Sequence, residues 1–99
     1  MNRFAAALFL PALLLAAKPV LAQDEATIKG AFIMCGLQGV LIACDDLVGM
    51  PDLSNVVRSN AYGTRAGVLA RLGRIDDAKR DLDQALKLDP GNKQVLPGR

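Results

Sequence analysis

The chain contains no histidine. That absence removes the commonest general base, the usual serine triads and most metal-ligand sets. Cysteine is limited to Cys35 and Cys44, too few alone for a zinc site. The nine glycines form neither a phosphate loop nor a dinucleotide fingerprint. Ser54 and Ser59 fall where a helix starts, and the pairs Asp45-Asp46 and Asp76-Asp77 read as solvated charges within or at the start of a helix. The residues therefore predict no catalytic group, no cofactor and no metal, and point to a non-enzyme. Aromatics are equally sparse. Phe4 and Phe9 belong to the N-terminal apolar run, which leaves Phe32 and Tyr62 beyond it. A core of Ala, Val, Leu and Ile suits closely packed helices better than an aromatic-rich sheet, so the expected fold class is all-α.

Net charge is the next scarcity. The N-terminus places Arg3 ahead of an apolar run over residues 4–17, followed by Val20-Leu21-Ala22. This is the order of a signal peptide, with cleavage expected after Ala22. The competing interpretation is an uncleaved anchor, but such a run rises only about 21 Å as a helix against a hydrocarbon core of about 30 Å. No cysteine follows the run at a lipidation position. Removing Arg3 and Lys18 leaves ten basic against ten acidic residues. A chain without net charge has no basic field to gather nucleic acid or an anionic membrane. Export across the inner membrane to the periplasm is expected, with no membrane association after cleavage.

In that oxidising compartment a Cys35–Cys44 disulfide is the default, with free thiols or a redox pair as the other possibilities. On one continuous helix the two would stand roughly 13.5 Å apart along the axis, beyond the Cα separation of about 4.4–6.8 Å that a bridge needs. The bridge requires a break, and Gly36 and Gly39 supply it.

Four helices are predicted. Residues 23–27 look frayed, and Ile28, Ala31, Phe32, Ile33 and Met34 suggest a short helix. Val40, Ala43, Cys44, Leu47 and Val48 have helical spacing, although residues 40–43 alone could pass for a strand. Gly49-Met50-Pro51-Asp52 ends that helix, and Asp52 or Ser54 caps the next, which carries Val57, Ala61, Val68, Leu69 and Leu72 inward and closes at Gly73. The last begins near Ile75, buries Ala78, Leu82, Ala85 and Leu86, and stops at Asp89-Pro90-Gly91. Arg71, Arg74, Asp77, Lys79, Arg80, Asp81 and Asp83 read as solvated faces. The expected organisation is a signal peptide at 1–22, a degenerate helical cap with the cysteine pair at 23–50, a helical hairpin at 51–92 and a disordered tail at 93–99.

Residues 59–92 resemble a tetratricopeptide repeat, a helix-turn-helix unit of about 34 residues. Tyr62 stands at the first aromatic position, Leu69 at the large position seven later and Gly73 at the turn. Ala78 and Ala85 occupy the two small contact positions, Leu82 lies between them and Pro90 marks the stop. Arg65 replaces a frequent Leu, and Ala66 a frequent Gly. The arrangement is similar to small exported repeat proteins of Gram-negative bacteria.

The resemblance implies a helical scaffold whose first repeat helix lines a concave face for a protein or peptide partner. That face would be Asn60, Gly63, Thr64, Gly67, Ala70 and Arg71. Clamping a terminal carboxylate is not implied, because Gly63 and Gly67 stand where that use needs polar side chains. The two glycines make a flat strip, open to packing against the 40–48 helix, to a bound peptide or to self-association. The expected function is an exported protein-interaction module of unknown partner. The alternatives are a self-associating structural protein, since one repeat is fewer than the about three that usually bury a solenoid core, or a thiol-active protein.

Overall fold

The computed structural model describes residues 24–96. The expected signal peptide lies outside the described residues. Within them the protein is all-helical: α1 (Glu25–Phe32), a π-helical turn (Ile33–Leu37), α2 (Leu41–Val48), α3 (Asn55–Arg71) and α4 (Ile75–Leu88). No helix among them is long and apolar enough to cross a membrane.

Local chemistry sets each boundary. α1 starts earlier than the sequence suggests, because the Asp24 carboxylate accepts a 2.8 Å hydrogen bond from the Thr27 amide and orders residues expected to fray. α1 runs on without interruption into the π-turn, so Gly36 does not break the chain. The break comes at Gly39, whose φ of 68° is the left-handed conformation that ends the helix. The Val40 amide then donates to the Met34 carbonyl at 3.0 Å. This reversal brings Cys35 and Cys44 to a Cα separation of 4.7 Å, and they form a disulfide.

Ser54, not Asp52, caps α3, its hydroxyl accepting from the Val57 amide at 3.1 Å. Asp52 sits in the preceding turn at φ 65°. The Arg58 guanidinium reaches back to the Val48 and Met50 carbonyls at 2.6 and 2.9 Å, satisfying acceptors at the end of α2. α3 closes in a Schellman arrangement: Arg74 donates to Leu69 O at 2.8 Å and Gly73 to Ala70 O at 3.0 Å, with Gly73 at φ 83°. Leu72, placed inward by its spacing, is in the turn and exposed.

Two apolar clusters hold the helices. Cys35, Cys44, Leu47, Ala61 and Val68 join α2 and the π-turn to α3, flanked by Ala31, Phe32 and Met50. Ala66, Leu69 and Ala78 join α3 to α4, with Leu41 and Leu82 packed against them. Leu41 lies beside Leu69 while Val48 lies beside Arg58, so α2 runs antiparallel to α3. Ala78 and Ala85 are buried, and Leu82 and Leu86 half-buried.

Residues 93–96 turn back on α3, anchored by Asn92, which is buried. Its amide donates to Ser59 Oγ at 2.8 Å and to Asn60 Oδ1 at 2.9 Å, and its own Oδ1 accepts from the Gln94 amide. Ser59 in turn donates to the Ala85 carbonyl at 2.7 Å, tying α3, α4 and the tail together.

Candidate interaction surface

The α3 face expected to receive a peptide is largely filled by the chain itself. Asn60 engages Asn92. Thr64 Oγ1 donates to the Asn60 carbonyl at 2.8 Å, and its methyl group sits against Gly36, where an added Cβ would come within 2.9 Å of it. Arg71 Nη2 donates to the Gly36 carbonyl at 3.0 Å. Gly63 lies under Val95, whose methyl would be 2.8 Å from a Cβ. Gly67 alone of the pair stays open, with nothing within 4 Å, and Ala70 is exposed. Neither glycine packs against α2. The close backbone approach is made by Gly36.

This distinction has a measurable consequence. Gly67→Ala adds a methyl in open space within a helix and is expected to stabilise the fold by about 0.5–1 kcal/mol. Gly63→Ala drives against Val95, so its propensity gain is offset by displacement of the tail. Thermal melts of the two variants, with amide exchange at Val95 and Leu96, check this. Faster exchange is expected in Gly63→Ala alone.

An ion cluster spans α2, α3 and α4 around a cavity of about 240 Å³ bordered by Leu41 and Leu69. Asp81, expected on a wet face, is buried. Both its oxygens accept from Arg65, at 2.7 Å from Nε and 2.9 Å from Nη2. Arg65 also reaches Asp45 at 3.1 Å and lies 5.6 Å from the centre of the Tyr62 ring. The hydrogen bond to Asp81 raises the Arg65 pKa above its ordinary value. Arg74 and Arg80 both pair with Asp77. Arg65 is thus matched by a carboxylate on the facing helix. Ala78, Asp81 and Ala85 share one helical face, and that periodicity was the available signal.

Two carboxylates at helix starts have depressed pKa values, Asp77 chiefly through its hydrogen bond from Arg74 and Asp24 through Thr27. Such groups favour the folded state above the ordinary carboxylate pKa of about 4, and their contribution disappears as the pH falls through the lowered values.

Cys35 and Cys44 are fully buried. Thiol exchange needs an accessible sulfur, so the geometry suits a structural bridge.

Large apolar side chains are exposed at several places, among them Ile33, Met34 and Val56, and the most exposed lie on the disulfide-closed loop, the start of α2 and the α3–α4 turn. Leu37 is 83% exposed and Ile42 72%, with Val40 between them, all on or beside the disulfide-closed loop. Leu72 and Ile75 flank the α3–α4 turn and are 57% and 49% exposed. The Arg71 contact with Gly36 and the packing of Leu41 on Leu69 place loop and turn at the same end. The sequence reading missed this surface because spacing assigned Val40 and Leu72 to buried stripes. No family model matches the chain, and neither a curated protein nor a solved structure shows significant similarity to it.

Proposed function

We propose that the protein is an exported, non-enzymatic protein-interaction module built on a tetratricopeptide-type hairpin. The leader-like residues 1–22 and the buried disulfide support export to the periplasm. The observation that carries the interaction reading is the apolar end formed by Leu37, Ile42, Leu72 and Ile75. Side chains of this size left open on a small domain mark a binding surface. Contact with the partner is assigned to this end in preference to Asn60, Gly63, Thr64 and Arg71, whose groups already serve the fold. Gly67 and Ala70 are what remains of the concave face.

The test compares complexes containing the protein by size, in extracts of cells producing the full chain. Leu37→Asp with Ile42→Asp is expected to abolish them. Gly67→Arg, which fills the open strip on α3 without meeting other atoms within 4 Å of the new Cβ, is expected to leave them intact. The reverse pattern would return binding to the α3 face and overturn the assignment.

A further inference from the structure

We infer, on the export reading above, that the Cys35–Cys44 bridge is a redox gate on residues 25–48. With both thiols reduced this segment leaves α3 while the α3–α4 hairpin stays folded, and oxidation docks it. In α1, the π-helical turn and α2 the buried residues are Cys35, Cys44 and Leu47, so two of the three are the half-cystines themselves. α1 buries none. α1 and α2 have eight residues each, and isolated helices shorter than about 12–15 residues are marginal in water. The side chains that tie the segment to α3 are Arg58 on the Val48 carbonyl, Arg71 on the Gly36 carbonyl and Arg65 on the Asp45 carboxylate. The last is an exposed pair of the kind that contributes little.

The hairpin is built differently. α3 and α4 span 17 and 14 residues, and their shared cluster of Ala66, Leu69 and Ala78 draws on the bridged segment only for half-buried Leu41. Arg65 grips Asp81 with two hydrogen bonds, and Ser59 joins α3 to α4 and to Asn92. Closure of the gate is thiol–disulfide exchange. One cysteine displaces a sulfur of an external disulfide, the second cysteine displaces the other, and the oxidant leaves as two thiols with the two electrons and two protons that Cys35 and Cys44 give up. Detached, the segment exposes both thiols to that oxidant; docked, it buries both sulfurs, so the closed state resists attack. The gated segment directly follows the expected leader at 1–22, so the stretch beside the leader holds no stable fold until the chain reaches an oxidising compartment.

The experiment uses the protein as it accumulates when the full chain is expressed, with its bridge formed. Amide hydrogen exchange is read by mass spectrometry before and after reduction with dithiothreitol. Cys35→Ala with Cys44→Ala is measured alongside, since it reaches the unbridged state even where the buried sulfurs resist reduction. The expected result is exchange at least about tenfold faster over residues 25–48 in both unbridged forms, with α3 and α4 changed by less than about threefold. Oxidised glutathione should return protection to the reduced wild type and not to the double variant. Equal acceleration across all four helices, or protection of residues 25–48 kept without the bridge, overturns the gate. Export is read separately from the N-terminus of the recovered protein. Met1 still in place contradicts the export reading, whereas a chain that begins at Gln23 and shows no local opening keeps export and rejects the gate.

Discussion

Removing the Cys35–Cys44 bridge should lower the melting temperature by on the order of 10–20 °C. The bridge closes a loop nine residues apart in sequence, for which the chain-entropy model gives roughly 2.5–3 kcal/mol. In a domain of this size each kcal/mol corresponds to about 4–8 °C. The effect is large because both half-cystines belong to the cluster that attaches α2 and the π-turn to α3. Without the bridge, the reversal at Gly39 must be held by packing and a few backbone hydrogen bonds. The check is a pair of melts on the wild type, oxidised and reduced, beside Cys35→Ala with Cys44→Ala. Reduced protein and double variant should melt together, well below the oxidised protein. If the three melt alike, the bridge contributes no stability and the structural role assigned to it is wrong.

Asp81→Ala should cost about 2–4 kcal/mol. The carboxylate is buried and receives two hydrogen bonds from Arg65, so its loss leaves a partly buried guanidinium with only Asp45 at 3.1 Å. Breaking such a pair by removing one partner is expensive because the other charge stays behind. Replacing both is different. Arg65→Leu in the Asp81→Ala background removes the other charge as well and should recover most of the lost stability. Chemical denaturation of the two single variants and the double variant measures the coupling. Additive losses would show that the pair does not act as a unit.

Much of the fold was legible because it rests on local rules. Ser54 before a helical run, Gly73 at its end and Pro90 beyond the next are boundary signals read without tertiary knowledge, and each falls at the element end it marks. The spacing that placed Ala61, Val68, Ala78 and Ala85 inside follows from helical periodicity alone, and all four are buried. The bridge was also foreseeable, given a break between the cysteines. Its location was not: both glycines looked able to break the helix, and only Gly39 does, while Gly36 admits Thr64 and its carbonyl accepts a hydrogen bond from Arg71.

The surface was far less legible. Arg65 and Asp81 find each other across 16 positions, and in sequence Asp81 is one charge in a run of charges. Asn92 and Val95 cover part of α3 through hydrogen bonds and contacts more than thirty residues from their partners, so part of the face assigned to a ligand is taken up by the chain itself. With part of that face covered, Leu37, Ile42, Leu72 and Ile75 are among the large apolar side chains left open. No one-dimensional pattern shows which faces a chain covers with itself.

The measurement that tests the location of binding most directly is photo-crosslinking in intact cells, with a photoreactive side chain placed in turn at Leu37 and at Gly67. Protein crosslinks from position 37, with none from position 67, are the predicted result. Crosslinks from position 67 and none from position 37 would contradict it and return the partner to the Gly67 face of α3.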